Sequence, residues 1–179
     1  MKQALFLDRD GIINKEFNYV HRIEDFVFMS GIFDLCREAK KNKMAVVVVT
    51  NQAGIGRGYY SEDQFKKLTA WMNSRFQEEG VNIDAVYFCP FHPIHGIGKY
   101  KKESDDRKPN PGMLFRARDE LGIDLASSYL VGDNDTDIAA AKSASVGTSI
   151  LLASEDEGGS SIPDYYAQSL SDVNTIIFG

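Results

Sequence analysis

Five short apolar runs punctuate the chain, and most of them stop at a polar cluster. Ala4 to Leu7 ends at Asp8, Met44 to Val49 ends at Thr50-Asn51-Gln52, and Ala85 to Phe88 ends at Cys89-Pro90. Tyr129-Leu130-Val131 leads into Gly132-Asp133, and Ser149 to Leu152 is the fifth run. Runs this short, without polar alternation, predict fully buried strands of a parallel sheet. The segments between them carry the helical period instead. Phe33, Leu35, Cys36 and Ala39 have helical spacing. Ser61-Glu62-Asp63-Gln64 has the form of a capping box, followed by Phe65, Leu68, Met72 and Phe76 on one face and Gly80 at the exit. Pro111 at the first helical position, then Met113, Leu114, Ala117 and Leu121, with Gly122 past the end, predicts another helix. Asp135 to Ser143 makes a last short one. Strands alternating with helices predict an α/β fold, a doubly wound Rossmann-like parallel sheet with helices on both faces.

Composition narrows this picture rather than changing it. A chain of 179 residues with 43% apolar and 26% charged residues suits one globular domain spanning 1–179. The net charge of −6 argues against a nucleic-acid partner. Its location matters more than its size. Ile150 to Gly179 holds five acidic residues and no Lys or Arg, so the first 149 residues sum to only −1. The longest apolar run is Met44 to Val49, too short for a membrane span, and the N-terminal segment has no signal-peptide form. Two cysteines, Cys36 and Cys89, support neither a disulfide framework nor a CxxC metal site. A cytoplasmic location is expected.

The chemistry gathers at strand ends, where sheets of this kind bind their ligands. Four clusters occur in order: Asp8-Arg9-Asp10-Gly11, Thr50-Asn51-Gln52, Arg107-Lys108-Pro109, and Gly132-Asp133-Asn134-Asp135-Thr136-Asp137. Singly, each has an ordinary explanation as a turn, a helix cap or a solvated lysine. Together they suggest metal-assisted phosphoryl transfer. A phosphoryl group repels a carboxylate nucleophile unless a divalent cation and a lysine offset its charge. Asp8 is the natural nucleophile, and Asp10 can protonate the leaving oxygen and then deprotonate water. Thr50 and Lys108 would hold the phosphate. Asp8, Asp133 and a carbonyl near Asp10 offer the hard oxygens that Mg2+ favours.

These residues resemble the haloacid dehalogenase superfamily, whose four motifs the clusters match across nearly the whole chain. The stretches LDRDGIIN, NYVHRIEDFVF, VVVVTNQAGIGRG, RKPNPGM and VGDNDTDI resemble the D-glycero-D-manno-heptose 1,7-bisphosphate phosphatases, with histidinol-phosphate phosphatases as near relatives. The resemblance implies a magnesium enzyme with Asp8 as nucleophile, Asp10 as general acid/base, Thr50 and Lys108 on the phosphate, and Asp8, Asp10 and Asp133 at the metal. It implies substrate contacts from Asn51, Arg57 and Arg107, to which Gln52 and the loop residue Tyr19 are added. Two departures stand out. Such relatives often carry a zinc loop written C-x-H and later C-x-C-R-K-P, whereas here Cys89, Phe91, Ser104 and Asp106 occupy those positions. No structural zinc is expected, despite His92 and His95 nearby. Asn134 stands where the heptose branch often has Lys.

Superfamily members often insert a cap domain between motifs. Thr50 follows Asp10 by 40 residues and Lys108 follows Thr50 by 58, which the expected elements already fill. A capless core is therefore expected, with substrate selected by Asn18-Tyr19-Val20, by the turn Gly54 to Gly58, and by Gly96 to Arg107. The last loop carries Lys99, Lys101, Lys102 and Arg107 beside Lys108, an attraction for a second phosphate. The expected partner is a small sugar phosphate taken up by a monomer, with no nucleic acid or membrane. A histidinol-phosphate or other small phosphomonoester phosphatase is the alternative. A receiver-like phospho-accepting module fits less well, because Val49 to Gln52 contains no Asp.

Overall fold

The central strands β1 (Ala4–Leu7) and β2 (Ala45–Asn51) are apolar on both sides because each side of the sheet is covered. Leu5, Leu7, Val46 and Val48 enter one core, while Ala4, Phe6, Ala45, Val47 and Val49 enter the other. The period of two thus runs between two helical layers rather than between core and water. The structure, a computed structural model, describes residues 1–153, 155–157 and 159–179. The remaining strands are β3 (Ala85–Cys89), β4 (Tyr129–Gly132), β5 (Thr148–Leu152) and β6 (Tyr165–Ala167). All neighbours pair in parallel, in the order β3-β2-β1-β4-β5-β6.

The helices are α1 (Ile32–Lys41), the single turn α2 (Ala53–Gly56), α3 (Glu62–Glu78), α4 (Gly112–Leu121), α5 (Asp135–Ser143) and α6 (Leu170–Phe178). Residues of α1, α3 and α6 bury against the Leu5 face, and those of α4 and α5 against the Phe6 face. The chain winds outward from β1 to β3 and then returns to the other side of β1 as β4. That reversal leaves a crevice beyond the carboxyl ends of β1 and β4, the usual ligand site of such a sheet.

The expected strands and helices are present, with small shifts at their ends. Pro111 caps α4 instead of opening it, and Gly112 is the first helical residue. The capping box on α3 forms as expected, Ser61 accepting from Gln64 N–H at 3.1 Å and Gln64 accepting from Ser61 N–H at 2.8 Å. The edge strand β6, the C-terminal α6 and the short α2 are additions.

Between β1 and α1 the chain turns back on itself. Met29 N–H donates to Ile13 C=O and Lys15 N–H to Val27 C=O, both at 2.8 Å. Phe28 locks this segment to the Leu5-side layer, its ring lying 4.8 Å from Phe33, 5.7 Å from Phe76 and 5.8 Å from Trp71. Phe76 is fully buried at the centre of this group. Truncating it removes the ring contacts from α3 to Phe28 and Phe33. Phe76→Ala is expected to cost about 3–5 kcal/mol of unfolding free energy, measured by urea denaturation.

Candidate active site

β1 and β4 end within one residue of each other, Leu7 lying opposite Val131 and β4 running on to Gly132, and Asp8 N–H donates to Val131 C=O at 3.1 Å. The next residues on the two strands therefore bring Asp8 and Asp133 together. The turn after β1 must make room for them. Gly11 has φ +90°, and a Cβ there would fall 1.9 Å from Asp133 Oδ2. Gly132 is similarly close, a Cβ lying 2.3 Å from that of Asp137. Neither position admits a side chain without displacing an acidic residue.

Asp137 is the fourth acidic residue of the site, and its sequence pattern disguised it as an ordinary helix cap. Its Oδ2 accepts from Asn134 N–H at 3.1 Å, completing a capping box on α5, while Oδ1 accepts from Lys108 Nζ at 2.5 Å. The same ammonium donates to Asp8 Oδ1 at 3.1 Å and to Val49 C=O at 2.8 Å. All three of its protons are thus used. Asn51 sets the backbone of this lysine, its amide donating to Lys108 C=O and its carbonyl oxygen accepting from Lys108 N–H, both at 3.0 Å.

Carboxylate oxygens of Asp8, Asp133 and Asp137 lie within 4.8 Å of one another, a set that can hold a metal ion. Burial, then the charges of Asp137 and Asp133, push the Asp8 carboxyl well above its usual range, although Lys108 opposes the shift. Burial and Asp137 raise Asp133 to about 6. Burial disfavours the Lys108 cation, but Asp137 and Asp8 outweigh it and push its pKa up. One lysine does not balance three carboxylates.

Asp10 sits apart from that cluster and takes three donors. Arg9 Nη2 and Asn14 Nδ2 reach its Oδ1 at 2.8 and 3.0 Å, and Gln52 Nε2 reaches Oδ2 at 3.1 Å. Gln52 also donates to Thr50 Oγ1 at 2.9 Å and accepts from the Tyr60 hydroxyl. Thr50, at the end of β2, is fully buried. Two adjoining depressions open here. The first, about 130 Å³, is lined by Asp8, Asp10, Lys108 and Asn134, and the second, about 280 Å³, by Tyr19, Gln52, Tyr60 and Arg107. Asp10, Glu16 and Asn51 line both.

The structure therefore gathers Asp8, Asp10, Asn51, Gln52, Lys108, Tyr19 and Arg107 around two clefts, with Asp133 in the carboxylate cluster beside Asp8 and Thr50 buried behind Gln52. Arg57 lines neither, its guanidinium standing 6.0 Å from the Tyr19 ring. Of the basic loop, Lys99 and Lys102 rest over the rings of Tyr100 and Phe91. Glu16 and Tyr60 had no signal in the motif spacing, and Asp137 stood only as the last member of the fourth cluster, with no role attached. Cys89, Phe91, Ser104 and Asp106 are all engaged within the protein. Cys89 is buried and hydrogen-bonds Ser104, Phe91 packs beneath Lys102 Nζ at 4.1 Å, and Asp106 pairs with Arg116 at 2.8 Å. His92 Nδ1 accepts from the backbone of Ile94 and His95 at 3.1 and 3.0 Å, which folds the loop on itself.

Comparison with known proteins finds relatives along most of the chain. A family model described as HAD-hydrolase-like matches residues 106–173. The D-glycero-alpha-D-manno-heptose-1,7-bisphosphate 7-phosphatase of Burkholderia mallei is 56% identical over 154 residues, 86% of this chain and 82% of that protein. The D-glycero-beta-D-manno-heptose-1,7-bisphosphate 7-phosphatase of Vibrio cholerae is 46% identical over 175 residues, 96% of this chain and 94% of that one. The chain belongs to the heptose-bisphosphate phosphatase family of the haloacid dehalogenase superfamily. This haloacid dehalogenase enzyme is a phosphoric monoester hydrolase. Its fold is shared by the D,D-heptose 1,7-bisphosphate phosphatase of B. bronchiseptica, solved with magnesium and phosphate. The TM-score is 0.82 at 25% identity, covering 99% of this chain and 98% of that one.

The crowded carboxylates make the metal-free hydrolase sensitive to pH. A carboxyl raised by folding favours the folded state when protonated, so its contribution is complete below the unfolded value of 3.8 and is lost as pH rises through about 6. Asp133→Asn is expected to raise Tm over the parent at about pH 8 and to gain much less at about pH 4, by calorimetry in chelator.

Proposed function

We infer that this hydrolase removes the 7-phosphate of D-glycero-D-manno-heptose 1,7-bisphosphate through an aspartyl-phosphate on Asp8, with magnesium. The observation that carries the reading is the Lys108 contact. A buried ammonium 3.1 Å from Asp8 fixes one carboxylate at the crevice and supplies charge where an anionic phosphoryl group would arrive. The excess of carboxylate over lysine, all in hard oxygen donors, suits a divalent cation. Asp8, Asp133 and the Asp10 segment would hold it. When bound, magnesium supplies Lewis-acid neutralisation of the phosphoryl oxygens.

In the first step an Asp8 oxygen forms a bond to phosphorus, the bond from phosphorus to the sugar oxygen breaks, and Asp10 gives its proton to that oxygen. In the second step water attacks phosphorus, Asp10 takes the water's proton, and the Asp8–phosphorus bond breaks to release inorganic phosphate. Thr50 and Lys108 steady the transferring group. The second cleft, with Tyr19, Asn51, Gln52 and Arg107 around it, receives the sugar that leaves. Arg57 supports it from behind Tyr19. The domain 1–179 acts without a cap, so these loops alone select the substrate. Such a substrate and two unpaired buried thiols suit a cytoplasmic monomer.

The test is phosphate release with magnesium from both anomers of heptose 1,7-bisphosphate, from histidinol phosphate and from simple sugar monophosphates. A heptose bisphosphate is expected to give the highest kcat/KM, and Asp8→Asn to lower kcat by about a thousandfold or more. Preference for histidinol phosphate would overturn the substrate, and an active Asp8→Asn enzyme would overturn the nucleophile.

A further inference from the structure

Arg9 lies between the two aspartates of the first motif, and its side chain is only 2% exposed. One nitrogen, Nη2, does all its hydrogen bonding, donating to Asp10 Oδ1 at 2.8 Å and to Val20 C=O at 2.6 Å. Nε and Nη1 are buried and have no hydrogen-bond partner among the described residues. A buried guanidinium with more than half its donors idle is costly, and an apolar side chain of similar volume would pack against Phe26 without that cost. Stability therefore does not account for an arginine here. Its two partners do.

Val20 closes a loop with unusual backbone. Asn18 and Tyr19 have φ of +63° and +65°, a conformation that side chains other than glycine seldom adopt, and both line the larger cleft. The same loop reaches Asp10 by a second route. Tyr19 C=O lies 2.8 Å from His21 Nδ1, the His21 ring stacks on Tyr60 at 4.9 Å, and Tyr60 holds the Gln52 amide that donates to Asp10. We propose that Arg9 is a positioning residue that ties Asp10 to the 18–20 loop, so that the walls gripping the leaving sugar also aim the proton it receives. This rests on the reading of Asp10 as general acid.

The signature of such a role lies in the leaving group. An alkyl alcohol needs a proton as it departs, whereas p-nitrophenolate leaves without one. The parameter kcat/KM reports steps through leaving-group departure, and the ratio of two substrates within one preparation cancels any loss of folded protein. The experiment compares a sugar phosphate with p-nitrophenyl phosphate in the parent, Arg9→Met, Arg9→Lys and Asp10→Asn. Arg9→Met is expected to lower the sugar-to-aryl ratio about tenfold or more, Asp10→Asn about a hundredfold, and Arg9→Lys to lie between the parent and Arg9→Met. An equal loss on both substrates in the Arg9 variants, complete inactivity included, overturns the proposal while Asp10→Asn still shifts the ratio. An unshifted ratio in Asp10→Asn overturns the general-acid reading itself, and the proposal with it.

Discussion

The Lys108 ammonium, buried among Asp8, Asp137 and the Val49 carbonyl, joins four separate parts of the chain. These are the end of β1, the end of β2, the first turn of α5 and the loop that follows β3. A buried charge pair of this kind adds little net stability, because desolvating both ions offsets most of their attraction, but removing one partner strands the other. Paired with Asp8 and Asp137, this cation offsets part of the repulsion among three carboxylates whose oxygens lie within 4.8 Å of one another. What the lysine leaves unbalanced is the capacity to attract a metal ion and a phosphoryl group. The site is thus poised by its own electrostatic deficit.

Around that charged centre, hydrogen bonding sets position. Asn51 uses both ends of its amide on the Lys108 backbone, and Gln52 joins Thr50, Asp10 and Tyr60. The side chains that face the cleft are therefore also braces for the groups behind it. The Asp106–Arg116 pair, the Ser104–Cys89 hydrogen bond and the Lys102–Phe91 stack shape the segment leading to Arg107. The acidic segment 150–179 contributes none of these groups, and the rest of the chain is nearly neutral.

Much of this was legible in sequence because buried parallel strands are apolar on both faces and stop abruptly at charged residues. β1, β2 and β4, and with them Asp8, Thr50 and Asp133, could be placed on that signal alone. Asp137 could not, because an acidic residue three positions into a helix is ordinary capping chemistry, and only the fold brings Lys108 to it across 29 residues. Strand β6 has three residues, its first exposed, and carries no pattern, whereas α6 bears a legible one, with Leu170, Val173 and Ile177 at helical spacing behind a Ser169 cap. The burial of Arg9 was hidden for the opposite reason, since a charged residue between two aspartates reads as solvated. Arg57 stands outside both clefts, its guanidinium 6.0 Å from the Tyr19 ring that lines the larger one.

The central claim is that the lysine-braced carboxylate of Asp8 takes the phosphoryl group covalently. Rapid acid quenching of the magnesium-loaded enzyme during turnover of a sugar bisphosphate, followed by peptide mass mapping, tests it most directly. One added phosphate on the peptide and residue Asp8, lost when the quench is delayed past substrate exhaustion, is the result the account predicts. Full turnover with no phosphorylated peptide, or with the phosphate on Asp133 or Asp137, would contradict it.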